Sequence, residues 1–144
     1  MKRLLIPLLL LSTLTFTACG STMTEADKQW EEKTIDMARQ IVESKADSYD
    51  GYSDVETGEP EYLYTLYTEE ADEYLVQYVA KFDMERWEDV NWLSIELILD
   101  PDGNRISFSA SEMDDESYKA IDGFDPVGAG IGDYHWTNIN NLND

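Results

Sequence analysis

Sulfur cross-links are the first thing this sequence lacks: its 144 residues include one cysteine, Cys19. No intrachain disulfide can form, so burial of apolar side chains must hold the domain together. Histidine is equally scarce, with His135 alone. Cations are few, 10 Lys and Arg against 31 Asp and Glu, for a net charge of −21. Such a surface repels nucleic acid, whose recognition needs a positive footprint. It also repels anionic lipid headgroups. A long apolar run is missing as well. Residues 4–11 form the longest one, and Ser12, Thr13, Thr15 and Thr17 interrupt its continuation, short of the about 20 residues of a membrane-spanning helix. What the chain does have is 42% hydrophobic and 12% aromatic residues, enough for one core and one domain.

The N-terminus is organised around Cys19. Lys2 and Arg3 precede the apolar run, and Phe16-Thr17-Ala18 leads into Cys19-Gly20. A charged start, a short apolar stretch and small residues before the cut describe an export signal. With the chain's single cysteine at that point, the segment resembles the signal of bacterial lipoproteins, with residues 16–19 as the lipobox. The resemblance implies cleavage before Cys19 and a diacylglycerol thioether on its sulfur, often with a further acyl group on the new amino terminus. A thiolate is a good nucleophile for that transfer, and two or three acyl chains anchor stably where one would not. Cleavage after Ala18 without lipidation and an uncleaved membrane helix are the alternatives. Gly20 stands where many Gram-negative lipoproteins kept in the inner membrane have aspartate, so a Gram-negative source would imply the outer membrane. Loss of residues 1–18 leaves 126 residues and, with Lys2 and Arg3 gone, a net charge of −23. The resemblance thus gives a signal peptide at 1–18, a lipidated tether at 19–23 and an extracytoplasmic domain held at the cell envelope by lipid on Cys19.

Thr24-Glu25-Ala26-Asp27 is an aspartate variant of a capping box and predicts a helix start. Trp30, Met37, Ala38, Ile41, Val42 and Ala46 share one helical face. The helix is expected to reach about Asp47, roughly 33 Å at 1.5 Å per residue. Residues 50–60 read as a loop. Strands are expected at 62–68, 74–84, 90–99 and 105–111; in the second, Tyr74, Val76, Tyr78, Ala80, Phe82 and Met84 form the apolar face. Asp100-Pro101-Asp102-Gly103-Asn104 joins the last two. To set Leu99, Leu97 and Ile95 opposite Ile106, Phe108 and Ala110, the loop should have four residues around a type I turn, with Pro101 second. Residues 112–121 suggest a short acidic helix capped by Ser111. From 122 to 144 the glycine- and asparagine-rich sequence reads as an irregular tail outside the 24–121 domain.

The expected fold class is therefore α+β, one long N-terminal helix packed on a four-stranded antiparallel sheet. This order resembles the cystatin-like fold, and the small cystatin-like lipoproteins of bacteria in particular. The small lipoproteins of outer-membrane barrel assembly are a second comparison, but they carry two helices before the sheet. Neither resemblance implies a catalytic residue.

Candidate sites are few. Asp100-x-Asp102-x-Asn104 matches the first three ligand positions of an EF-hand, yet Arg105 occupies the glycine position and Ser111 the bidentate-acid position; turn chemistry explains the same residues. Gly128-Ala-Gly130-Ile-Gly132 resembles a phosphate loop without its strand, helix or lysine. His135 has no marked nucleophile near it. Close acid pairs such as Asp114-Asp115 and Glu69-Glu70 arise by number alone among 31 acids. Trp87 and Trp92 flank a polar loop and could offer an aromatic patch, with core burial the simpler use. The expectation is a non-enzymatic binding or accessory module without cofactor or metal. Its partner would be an envelope protein, met by the sheet's open face or adjacent loops; the acidity suits either solubility or a basic partner. An acidic calcium-binding lipoprotein and a carboxylate-dependent hydrolase are the alternatives.

Overall fold

The capping box at Thr24 forms as expected and opens α1 (Glu25–Asp47). Asp27 N–H donates to Thr24 Oγ1 at 3.2 Å, and Asp27 Oδ2 accepts from Thr24 N–H at 3.1 Å. Two orphan donors of the helix start are thereby satisfied. Asp27 Oδ1 accepts from the Tyr62 hydroxyl at 2.9 Å, which ties the helix start to the sheet. This computed structural model describes residues 24–124, 130–131 and 133–139. The signal, the lipobox with Cys19, the 19–23 tether, and Gly128 and Gly132 of the glycine motif lie outside the described residues.

The sheet is antiparallel and larger than the four strands expected. Those four are present as β2 (Glu61–Thr68), β3 (Glu73–Met84), β4 (Trp92–Leu99) and β5 (Arg105–Met113). Two short strands join them. β1 (Val55–Thr57), within the expected loop, pairs with the far half of β3, Val55 opposite Met84. β8 (Thr137–Asn138), within the expected tail, pairs with β2 through Leu66 and Tyr67. The spatial order is β5-β4-β3-β2-β8. A separate two-stranded ribbon is formed by β6 (Gly130–Ile131) and β7 (Tyr134–His135). The final helix, α2 (Asp115–Asp122), is capped by Asp114 rather than Ser111. β5 runs on to Met113, which is buried and pairs with Trp92, so the helix starts later.

Two layers enclose the main core. Ala38, Ile41 and Val42 of α1 pack on Val76, Tyr78, Phe82, Leu93, Ile95 and Leu97. Apolar residues at helical spacing thus meet apolar residues alternating along strands. The polar Thr34 is also fully buried on this face and shares a hydrogen bond with the Tyr78 hydroxyl at 2.9 Å. Burial pushes the Tyr78 phenol up to about 12, so it stays protonated.

The opposite face is covered, not open. Leu66, Leu75 and Trp136 form a second cluster there. Phe124 tilts against Tyr64 with centroids 5.9 Å apart, and Tyr118 of α2 stacks on Trp92 at 3.9 Å. Gln77, Val79 and Ser94 beneath are buried, and Gln77 Nε2 donates to Ser94 Oγ at 2.9 Å. The segment after 121 therefore completes the fold through Trp136 and β8.

The β4–β5 hairpin keeps most of the expected face pairing by another route. Gly103 N–H donates to Asp100 O at 2.8 Å, with Pro101 second in the turn as expected. Asp100 N–H also donates to Asn104 O at 2.9 Å, which leaves a three-residue loop with Gly103 at φ +78°. Three residues alone would misalign the faces. An irregularity between Ile98 and Leu99 leaves Ile106 without a partner opposite and restores Leu97 opposite Phe108 and Ile95 opposite Ala110.

Candidate functional site

Among the described residues, a trough runs between α1 and β5. Its volume is about 570 Å³, and Gln40, Ile41, Lys45, Arg105 and Phe108 help line it. Ser44 and Ser48 complete the lining, so two cations and no acid border it, in a chain of net charge −21. α1 supplies one wall because residues 41, 44, 45 and 48 share a helical face. β5 supplies the other because its even-numbered side chains from Phe108 point to the helix side. The helix does not reach over them. Phe108 stays 51% exposed and Ile106 53% exposed, so two residues expected in the core lie on the surface of an edge strand.

The charges of the trough are arranged unequally. Glu112 Oε1 accepts from Lys45 Nζ at 2.8 Å and from the Tyr49 hydroxyl. Burial alone would raise the Glu112 pKa, but the Lys45 and Tyr49 bonds outweigh it and the carboxyl sits below its ordinary value. A lowered acid stabilises the fold above its unfolded pKa, and that contribution is lost as pH falls through the folded value. The stability gap between wild type and Glu112→Gln is therefore expected to narrow as pH drops from 6 to 3. Thermal melts at matched pH check it; a constant gap would mean that folding does not lower the Glu112 pKa. The Arg105 side chain, by contrast, has no hydrogen bond or ion pair among the described residues. Its guanidinium lies 4.9 Å from the Phe108 ring centroid.

The other sequence candidates are occupied by structural work or stand apart. Asp100 Oδ2 accepts from Asn104 Nδ2 at 3.0 Å and Oδ1 from Asn104 N–H at 2.8 Å, and the side-chain bond, then the backbone one, lowers the Asp100 pKa. The Lys33 ammonium donates to the Asp102 carbonyl. A cation thus already sits at the EF-hand-like loop. Asp114 caps α2, and its pKa is lowered chiefly by the Ser117 backbone N–H, while Asp115 accepts from Trp92 Nε1 at 2.8 Å. Glu70 is held low mainly by the Thr68 hydroxyl, 2.6 Å away. His135 is exposed and shares a shallow hollow with Tyr67, Glu69, Glu70 and Thr137. The Thr137 hydroxyl donates to the Tyr67 carbonyl at 3.3 Å, not to the imidazole. Trp87 packs edge-on against Tyr49 at 5.7 Å on the helix side, whereas Trp92 lies on the other face, so the two form no shared patch. Among the described residues no group of three or more His, Cys, Asp or Glu is placed to hold a metal ion, and no helix is long and apolar enough to cross a membrane.

Arg105 and Phe108 were not candidates from sequence. Arg105 read as a strand start and Phe108 as core; only the order of strands, with β5 outermost, reveals their exposure. Comparison of the chain with protein-family models, curated proteins and solved structures finds no match.

Proposed function

We propose that this protein is a lipoprotein of the bacterial cell envelope, anchored through lipid on Cys19 and acting as a non-catalytic binding or accessory module on the extracytoplasmic side. The observation that carries the reading is the placement of the chain's sole cysteine after Phe16-Thr17-Ala18, behind a charged start and a short apolar run. Its position relative to the domain supports it. Thr24 caps α1 five residues after Cys19, a spacing that suits a short tether between a lipid and a folded unit. The negative surface suits a domain that stands off anionic headgroups. The helix-on-sheet arrangement supports the cystatin-like comparison at the level of architecture.

A binding role is supported by how the chemistry-bearing residues are used. The acids at the turn, at the α2 cap and beside Lys45 are engaged in turn, cap and ion-pair contacts. The carboxyls with shifted pKa values, Glu70, Asp100, Glu112 and Asp114, all shift downward, away from the raised value of a general acid. The partner is an envelope protein met by the loops beside the sheet.

Metabolic labelling with palmitate tests the anchor. Wild type is expected to take up label and Cys19→Ala to lose essentially all of it. Equal label in both proteins would overturn the proposal.

A further inference from the structure

The two edges of the sheet are treated differently. The β2 edge carries β8, with Trp136 packed beside it. The β5 edge carries nothing among the described residues: β5 is the terminal strand and pairs with β4 alone. An outer strand presents a row of unpaired N–H and C=O groups. Proteins usually guard such a row with charge, proline or a bulge. β5 has its irregularity at Ile106, but residues 106–111, Ile-Ser-Phe-Ser-Ala-Ser, contain no charge, proline or glycine.

We propose that β5 is a self-docking edge: two copies of the chain pair their β5 strands antiparallel, with Ser109 on the two-fold axis. Three observations favour a second copy as the occupant. The ends of the strand are complementary to each other, Arg105 at one and Glu112 at the other, with neutral residues between them. Antiparallel pairing about Ser109 sets Phe108 opposite the second copy's Ala110 and Ile106 opposite its Glu112, so that acid arrives beside Arg105 at both ends. Both charged groups have capacity left. Arg105 has only Phe108 beneath it, and Glu112 takes Lys45 and Tyr49 on Oε1, so Oε2 has lone-pair capacity to accept a guanidinium N–H.

Charge distribution makes this the surface where two acidic copies can approach. The trough along β5 is lined by Lys45 and Arg105, with Glu112 beside it paired to Lys45. It is therefore far less acidic than the chain as a whole, and at physiological salt the fields of acids beyond about 8 Å are largely screened. Pairing also covers the half-exposed Phe108 and Ile106. A slip of one residue would turn Phe108 against the second copy's serines. The contact is a strand pair with few side-chain anchors, smaller than the about 1,200 Å² of a standard specific interface. The dimer is accordingly weak and tightens with added salt, because screening relieves repulsion between the two acidic bodies.

Cysteine cross-linking of the full chain tests the register. Residues 107, 109 and 111 are exposed, so a thiol there leaves the fold intact. At the axis, Ser109→Cys faces its own copy with Cα atoms about 4.5–5.5 Å apart, within disulfide reach. Ser107→Cys thiols would be about 13 Å apart, four residues along the ladder. Freshly lysed cells expressing each variant are treated with a mild oxidant and run without reductant. Ser109→Cys is expected to give covalent dimer, over wild type, at least ten times the yield of Ser107→Cys. Combining it with Phe108→Asp is expected to cut that yield at least fivefold while the melting temperature holds. Equal yields from the two positions, no dimer above wild type, or an adduct with a protein of another mass would overturn the proposal. A dimer band in wild type itself comes from an unmodified Cys19 and counts against the lipid anchor, not against β5.

Discussion

Phe82→Ala is expected to destabilise the domain by about 3–5 kcal/mol, while Phe108→Ala costs under about 1 kcal/mol. The two phenylalanines sit on the same face of the same sheet, each in an alternating strand. Phe82 is fully buried beneath α1 and meets Tyr49 with centroids 6.3 Å apart. Its truncation removes a large apolar side chain from water-free surroundings and leaves a cavity that the flanking strands cannot close. Phe108 is on the outermost strand and keeps half its surface in water, so its truncation removes little burial and creates no cavity. Urea unfolding followed by tryptophan fluorescence separates the two. Similar losses would mean that β5 is covered as fully as β3.

Trp136→Ala is expected to cost about 3 kcal/mol, within the usual range for removing a buried tryptophan. Trp136 is 4% exposed and closes the cluster of Leu66 and Leu75, next to β8, which supplies the pairing on the β2 edge. Its loss opens the second face and loosens the strand that guards that edge. A loss below about 1 kcal/mol in the same urea experiment would show that the fold ends near α2 and that the later segment only rests upon it.

The parts of the fold legible in the sequence are those fixed by local signals. Thr24 and Asp27 specify the start of α1 because a hydroxyl and an acid at that spacing satisfy each other's backbone donors. Period-two alternation marks β3 to β5, and aromatic and β-branched content marks β2, each to within a few residues. Contacts between distant parts of the chain were not legible. Thr34 is polar, yet it is buried because the Tyr78 hydroxyl comes to it from the sheet. β1 and β8 have three and two residues, too few for a period, and exist because β3 and β2 offer free edges. Trp136 lies among glycines and asparagines, so composition suggested a tail while tertiary burial decided otherwise. The hairpin is intermediate. Its turn residues placed Pro101 correctly, but the three-residue loop and the irregularity at Ile106 are a joint solution that faces alone could not distinguish from a longer loop. Phe108 shows the limit most clearly, since alternation gives the face of a strand but not its rank in the sheet.

The proposed lipid site at Cys19 rests on its neighbours in sequence, whereas the trough of Arg105, Lys45 and Phe108 exists only once α1 and β5 are side by side. An intact mass of the chain extracted from the cell envelope tests the anchor most directly. The expected result is the mass of the chain from Cys19 onward plus diacylglyceryl, with or without a further acyl group. The mass of a chain starting at Cys19 without lipid, or of one that keeps residues 1–18, would contradict it.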